Sequence, residues 1–149
     1  MKIEDAIKQS KFRDEFEKAD INLLFTANWM NSEMHRQLKP YDISQQQFNI
    51  LRILRGQKGN PAPLKLITER MMDKMSNTSR LVDKMYLKGL LNRQTCADNR
   101  RQVEIKLTEA GLKVCNQVSD MVDQNRIKNR RLDEDEAAEL NRLLDKMRS

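Results

Sequence analysis

The chain has 149 residues, which is enough for one domain with a real core, because a chain of this size buries about 68–70% of its unfolded surface. The apolar share of 38% and the regular apolar spacing argue against disorder, and 5% aromatic residues with four glycines are typical of a mostly helical protein. A net charge of +6 favours an anionic partner.

Several classes of protein are not indicated by the sequence. No apolar run is long enough to span a bilayer and the first residues lack a signal-peptide core, so we expect a cytoplasmic protein that does not enter membranes. Cys96 and Cys115 lack the paired spacing of a zinc site, and there is one histidine, so we predict no metal and no cofactor. No nucleophile–base pair or phosphate loop indicates an enzyme.

The first strong pattern is a long apolar stripe over residues 11–39. Apolar residues recur there at spacings of three and four from Phe12 to Leu38, and a second stripe that includes Leu24 and Trp29 runs beside the first. A helix that is apolar over more than one face must pack against more than its own core. We therefore predict that residues 11–39 contact a partner subunit.

Residues 44–108 have the pattern of a compact lobe. Ser44 and Gln47 form a predicted capping box, and the helix that follows ends near Gly56. A connector rich in glycine and proline and a short helix from Leu64 lead to a second short helix, which we place at 76–88 with Ser76 as its N-cap.

This second short helix is the best candidate for reading DNA. Asn77, Arg80 and Lys84 share one exposed face by their spacing, while Val82 and Met85 face inward. Short polar side chains at the start of a helix, followed by cations, suit a helix whose N-terminal end enters the major groove. Residues 65–106 also hold ten Lys and Arg against five Asp and Glu, which places most of the excess positive charge here.

The next stretch, 91–107, predicts a β-hairpin. Val103, Ile105 and Leu107 alternate with charged residues, which is the period of a half-buried strand. The polar tip carries two adjacent arginines, Arg100 and Arg101, and such a tip can place a guanidinium in a narrow minor groove. Thr108 and Asp133 then cap two further amphipathic helices over 109–149, and we expect these to pair with 11–39 in a dimer interface.

In order and motif, the chain resembles the MarR family of winged helix-turn-helix transcription regulators over nearly its whole length. The matching stretches are ISQQQFNILRILRG at 43–56, SNTSRLVDKMYLKGLL at 76–91 and LTEAG at 107–111. The family's wing motif is D-x-R, five residues, then L-T-x-x-G, which puts Arg101 at the motif arginine and Asn99 where the family usually has Asp. Asp98 and Arg100 repeat D-x-R one residue earlier, so either arginine is a candidate for the minor groove.

The resemblance implies a mainly α fold with a small β-hairpin wing, in a single domain with long dimerisation helices at both ends. It also implies a homodimer on a pseudo-palindromic operator in double-stranded DNA, usually a repressor released by a small, often phenolic, ligand or by thiol oxidation. The DNA-binding residues that we predict are Ser76, Asn77, Thr78, Ser79, Arg80, Lys84, Asp98, Asn99, Arg100 and Arg101.

Three alternatives remain open on the sequence. Trp29, Met30, Met34 and Tyr41 could line an effector pocket between the dimer base and the DNA-binding lobe, or could pack in the core. Cys96 lies near two arginines and could be a redox switch, or simply a half-buried strand residue. A winged-helix module for protein interaction, without DNA binding, is the alternative to a regulator, although it would need no basic face.

Overall fold

A computed structural model describes residues 1–149. It is mainly helical, with a three-stranded antiparallel sheet in the order β1-β3-β2. The helices are α1 (Ile3–Ile7), α2 (Glu15–Leu38), α3 (Gln45–Arg55), α4 (Leu64–Arg70), α5 (Thr78–Leu87), α6 (Glu109–Asn129) and α7 (Glu134–Met147). The strands are β1 (Ala62–Pro63), β2 (Leu91–Thr95) and β3 (Val103–Leu107). This is the winged-helix fold that the sequence predicted.

The core lies within the central lobe, around α3. Ser44 and Gln47 form the predicted capping box, in which each side chain accepts from the other residue's backbone N–H at 3.1 and 3.0 Å. From this fixed start α3 buries one face, and α6 packs across it through the buried Cys115 and Val118. The other buried side chains of this lobe include Ile50, Leu51, Ile67, Val82, Met85, Leu91 and Ile105.

The sheet contains a strand that the sequence did not predict. Ala62 and Pro63 come from the connector that we had assigned to a loop, and they pair with Ile105 and Glu104 of β3. Ala62 is fully buried. A strand of two residues has no periodicity of its own, so only the position of β3 reveals it.

The end of the hairpin lies close to the start of α6, and this close approach explains the Thr108 and Gly111 positions of the LTEAG sequence. Thr108 Oγ1 accepts from the backbone N–H of Gly111 at 3.0 Å and donates to the carbonyl of Gly89 at 2.7 Å. A Cβ on Gly111 would lie 2.1 Å from the carbonyl oxygen of Leu90. The threonine therefore caps α6 and ties it to the end of α5, and only glycine fits at residue 111.

The long helices at the two ends of the chain leave apolar surface uncovered. α2 begins at Glu15, because the Asp14 carboxylate caps it by accepting from Glu17 N–H at 2.8 Å, so the predicted start at residue 11 was wrong. Large side chains of α2 remain exposed, and α7 buries no residue at all. The exposed apolar residues of these two helices are Phe16, Leu23, Leu24, Trp29, Met30, Leu140, Leu143 and Met147. None of the helices is long and apolar enough to cross a membrane.

Candidate nucleic-acid interface

The candidate recognition helix, α5, begins later than the sequence predicted. Asn77, not Ser76, is its N-cap, and the Asn77 side chain accepts from the backbone N–H of Arg80 at 3.1 Å. Ser76 donates its backbone N–H to the carbonyl of Asp73 at 3.2 Å and so belongs to the turn before the helix. Both residue types can cap a helix, and the turn closed on Asp73 decides between them. The helix therefore spans Thr78–Leu87 rather than 76–88.

One face of α5 is exposed and cationic. Arg80 and Lys84 are solvent-exposed, and neither forms an ion pair with any acidic residue of the chain. The opposite face buries Val82 and Met85 in the core. Unpaired cations on a rigid helix are free to bind an external anion without first breaking an internal contact.

Thr78 does not lie on this exposed face, although we expected it to contact DNA. Its side chain is only 4% exposed, and its hydroxyl has no hydrogen-bond partner. As the first residue of α5, it points into the lobe while Ser79 points outward. Thr78 is therefore not available to contact DNA, which corrects our prediction. Ser79 is exposed, and half-buried Ser76 lies at the edge of the surface.

A cleft of about 480 Å³ runs beside the exposed face of α5. It joins Ser76, Asn77, Arg80 and Lys84 to the first turn of α3. The remaining lining residues are Ser44, Gln46, Gln47, Asp73, Met75 and Leu81. Gln46 lies in the first turn of α3, and its place beside α5 depends on a helix crossing that no local pattern encodes.

The tip of the hairpin is a hydrogen-bonded turn with both arginines at its centre. Gln102 N–H donates to the carbonyl of Asn99 at 2.9 Å, so Arg100 and Arg101 take the two middle positions. The Asn99 side chain also accepts from the backbone N–H of Arg101 at 3.1 Å. Both arginines are exposed without an ion pair, as is Asp98. Asn99 thus stabilises the turn, because its amide oxygen accepts this hydrogen bond from Arg101.

A contact that the sequence did not predict joins the hairpin to α5. Arg93 of β2 forms an ion pair with Asp83, and its guanidinium lies over the ring of Tyr86. The Tyr86 side chain lies at the surface and is 42% exposed. Because the Arg93 guanidinium already contacts Asp83 and Tyr86, it is less available to DNA than the unpaired guanidinium of Arg80.

The residues proposed for an effector pocket do not line either of the two main clefts of this chain. Trp29 and Met30 are about 60% exposed. Met34 and Tyr41 are half-buried and pack against the core. Neither the cleft beside α5 nor a second cleft on α3 is lined by any of the four.

The two cysteines differ in environment. Cys115 is fully buried, and burial raises the pKa of its thiol, although Arg55 and Arg52 act in the opposite direction. A protonated, buried thiol is unreactive. Cys96 is half-buried at the base of the wing tip, where its backbone N–H donates to Gln102 at 2.9 Å.

Comparison with known proteins identifies relatives of the whole chain. The model of the MarR family matches residues 43–103. A MarR transcription factor from Planctomyces limnophilus is 30% identical, with a TM-score of 0.67, and the match covers 91% of this chain and 98% of that one. A mutant of MarR from E. coli, solved in complex with operator DNA, is 25% identical with a TM-score of 0.74 over 93% of this chain and 99% of that one.

A third solved structure shares the fold at lower identity. The organohalide-sensing transcriptional regulator RdhR-CbdbA1625, in its 2,4-dichlorophenol-bound form, is 21% identical with a TM-score of 0.76. The match covers 94% of this chain and 85% of that one.

Proposed function

Since this chain belongs to the MarR family of transcription regulators, we propose that it is a homodimer that binds a pseudo-palindromic operator and represses transcription until an effector releases it. The observation that carries the DNA-binding part is the set of unpaired, exposed cations on α5 and the wing tip, Arg80, Lys84, Arg100 and Arg101. The relative from E. coli with operator DNA supports the same reading.

In the proposed complex the two elements have different tasks. The N-terminal half of α5, with Asn77, Ser79 and Arg80, would meet base edges in the major groove, where an arginine can bond guanine through two donors. Lys84, a turn later, would reach phosphate, and the wing tip would enter the flanking minor groove. The two copies of α5 in a dimer would lie about 34–36 Å apart, which is one turn of DNA.

Selection of bound sequences from a random duplex library tests this division of roles. We expect wild-type protein to enrich a pseudo-palindrome, and Arg80→Ala to relax the preference at one position of each half-site, at about 1–3 kcal/mol for that base. Lys84→Ala should weaken binding to all duplexes and reduce the salt dependence by about one counterion per half-site. Equal losses for both variants on selected and scrambled duplexes would contradict the assignment, and no binding to any duplex at low salt would favour the protein-interaction module.

The dimer is supported by the apolar surface on the terminal helices. Phe16 is 83% exposed, Leu24 65% and Trp29 60%, while α7 presents Leu140 and Leu143 without burying either. Large exposed apolar patches mark interaction sites, and a stable interface buries about 1,200–2,000 Å² in total. We therefore propose that residues 11–39 and 109–149 provide the dimer interface, and that 44–108 is the DNA-binding lobe.

Light scattering on the purified protein measures its mass and so tests whether the chain is a dimer. The mass should be twice 17.6 kDa, and Leu143→Glu should give monomers because it buries a charge in the apolar contact. Ser32→Glu is a matched control, since it adds the same charge at an exposed position of α2 outside the apolar set. A monomeric wild-type protein would contradict the proposal.

The effector part of the proposal places a small aromatic ligand near Trp29, Met30, Met34 and Tyr41. In the dimer these side chains would lie where the terminal helices meet the lobe, so a ligand there would change the spacing of the two α5 helices. The relative RdhR-CbdbA1625 supplies a probe, 2,4-dichlorophenol. Trp29 is the single tryptophan, so its fluorescence should change on saturable binding. The same ligand should lower the affinity for DNA, and Met34→Ala should weaken both effects.

A further inference from the structure

A cleft of about 460 Å³ lies where the C-terminal end of α3 meets the turn after α4, away from the candidate DNA-reading face of α5. Its lining contains three arginines and no carboxylate, and consists of Asn49, Arg52, Ile53, Arg55, Gly56, Arg70 and Met72. None of the three arginines forms an ion pair with an acidic residue of the chain.

Two of the three guanidinium groups have a neutral partner within the chain. Arg55 donates from Nη1 to the amide oxygen of Asn116 at 3.0 Å. The Arg52 guanidinium lies over the Phe48 ring, with its central carbon 5.7 Å from the ring centroid. Arginines with neutral partners keep their full charge, and the planar guanidinium loses little conformational freedom for each hydrogen bond that it forms. The arginines of this cleft should therefore lose less conformational entropy on binding an anion than mobile surface lysines would.

The ends of the two helices do not neutralise this cluster. Arg52 and Arg55 lie in the last turn of α3, and Arg70 lies in the last turn of α4. Cations are favoured at such positions, because each helix C-terminus carries about half a negative charge. Two helix ends thus offset about one of the three positive charges, which leaves an excess of about two.

We propose that this cleft binds a small oxyanion with two negative charges, of which a phosphate group is the simplest example. Guanidinium groups match such oxygens through paired N–H donors. The Asn49 amide oxygen accepts from the backbone N–H of Met72 at 2.9 Å, so a ligand here would also touch the turn that leads into α5. The proposal does not depend on DNA binding by α5 or the wing.

Titration with inorganic phosphate tests the site directly. Binding is measured by calorimetry on the full-length protein, with sodium chloride at matched ionic strength as the reference. We expect saturable binding to wild-type protein and a loss of affinity of about tenfold or more in Arg70→Ala and in Arg52→Ala, because each removes a charge-assisted hydrogen bond. Arg55→Lys should also weaken binding, since it keeps the charge but loses the paired donors.

Arg131→Ala is the matched control, because Arg131 is exposed and outside the cleft, and its loss changes the net charge by the same amount. It should change the phosphate affinity less than about twofold, as expected for a screened charge at a distance. Backbone amide signals of Gly56 and Met72 should shift on titration, and those of the wing tip should not. This second measurement stays informative if one variant is unstable.

Two results would overturn the proposal. One is phosphate binding that does not saturate beyond the chloride reference, or that falls equally in Arg131→Ala. The other is a lack of phosphate binding together with a weaker salt dependence of duplex DNA binding in Arg52→Ala and Arg70→Ala. That second result would mean that these arginines contact DNA phosphates and do not bind a small ligand.

Discussion

The Arg93 guanidinium stacks on the ring of Tyr86, with its central carbon 4.4 Å from the ring centroid. Arg93 belongs to β2 of the hairpin and Tyr86 to α5, and the same arginine forms an ion pair with Asp83 on that helix. The two elements that we propose to enter neighbouring grooves are therefore joined by one side chain. This contact sets the orientation of the hairpin relative to α5 in the absence of DNA.

A double-mutant cycle on this pair should reveal a coupling energy. Arg93→Ala and Tyr86→Ala are each expected to lower the free energy of unfolding by about 1 kcal/mol, the upper range of exposed cation–π and ion-pair contacts. The coupling between them should be about 0.5–1 kcal/mol, the range of an exposed cation–π contact. Denaturant unfolding of the four proteins measures it. Lys106→Ala on the adjacent strand is a control, because that exposed cation has no ion pair or ring partner, and additive effects of Arg93 and Tyr86 would contradict the contact.

Asn77 is expected to affect both stability and DNA preference, and a conservative variant separates the two. Asn77→Ala removes the cap of α5 and should cost about 1 kcal/mol of stability, whereas Asn77→Ser keeps an oxygen acceptor for the Arg80 N–H. If the free amide N–H₂ group also reads a base, Asn77→Ser should restore stability without restoring site preference. Thermal unfolding and selection from a duplex library give the two readouts. If Asn77→Ser recovered both the stability and the site preference, Asn77 would act only as the N-cap of α5.

The wing arginines should differ in their contribution to binding. The backbone N–H of Arg101 is held by the Asn99 side chain, so this residue is the better positioned of the two. We expect Arg101→Ala to weaken binding to selected DNA more than Arg100→Ala, with a loss of about 1–3 kcal/mol. Fluorescence anisotropy on a duplex with an A/T-rich flank, and on one with a G/C-rich flank, measures the effect. A larger loss in Arg100→Ala on the A/T-rich duplex would assign the groove to Arg100.

Local signals in the sequence were sufficient for most of the fold. The capping box at Ser44 and Gln47 and the caps at Thr108 and Asp133 fix helix starts through contacts within three residues. Two features that the sequence did not predict depend on distant contacts. β1 exists only because Ala62 reaches Ile105, and the stacking of Arg93 on Tyr86 requires the packed hairpin.

The candidate site shows the same division. Helical spacing correctly placed Asn77, Arg80 and Lys84 on the exposed side of α5. It could not choose between Ser76 and Asn77 as the cap, since both residue types are suitable and a turn closed on Asp73 decides. Thr78 was assigned to DNA with its neighbours, although its spacing of four from buried Val82 places it on the inward face, and its side chain is buried.

The thiols should react in two separate steps. Cys96 is half-buried and should react with a thiol reagent in the native protein, whereas buried Cys115 should react only after unfolding. Cys96→Ser should therefore abolish the native reaction. If oxidation of the Cys96 thiol to a sulfenic acid by hydrogen peroxide lowered the DNA affinity of wild-type protein and not of Cys96→Ser, the redox-switch alternative would be supported.

Stability should also fall at alkaline pH because of Cys115. Burial raises the pKa of its thiol in the folded protein. Above the unfolded value of about 8.5, the unfolded chain releases a proton that the native chain still holds, so the free energy of unfolding decreases as pH rises. Denaturant unfolding between neutral and alkaline pH measures this slope. Cys115→Ala should have a shallower slope than wild type, and equal slopes would contradict the assignment.

Gly111 should be the least replaceable glycine of the chain. An alanine Cβ would lie 2.1 Å from the Leu90 carbonyl oxygen and 3.0 Å from its carbon, so α6 would have to move away from the end of α5. We expect Gly111→Ala to cost about 3 kcal/mol or more, within the range of severe overpacking against a backbone that cannot yield. Gly59→Ala is the matched control.

Gly59 has a φ of +86° with nothing within 4 Å of the added carbon, so its substitution should cost only about 1–2 kcal/mol of left-handed backbone strain. Thermal unfolding of both variants compares the two effects. Because Thr108 also ties this junction to Gly89, Gly111→Ala should in addition shift the amide signals of residues 89–91 in spectra of the folded protein. A Gly111→Ala protein as stable as Gly59→Ala, with unshifted signals, would contradict the close approach of α6 to Leu90.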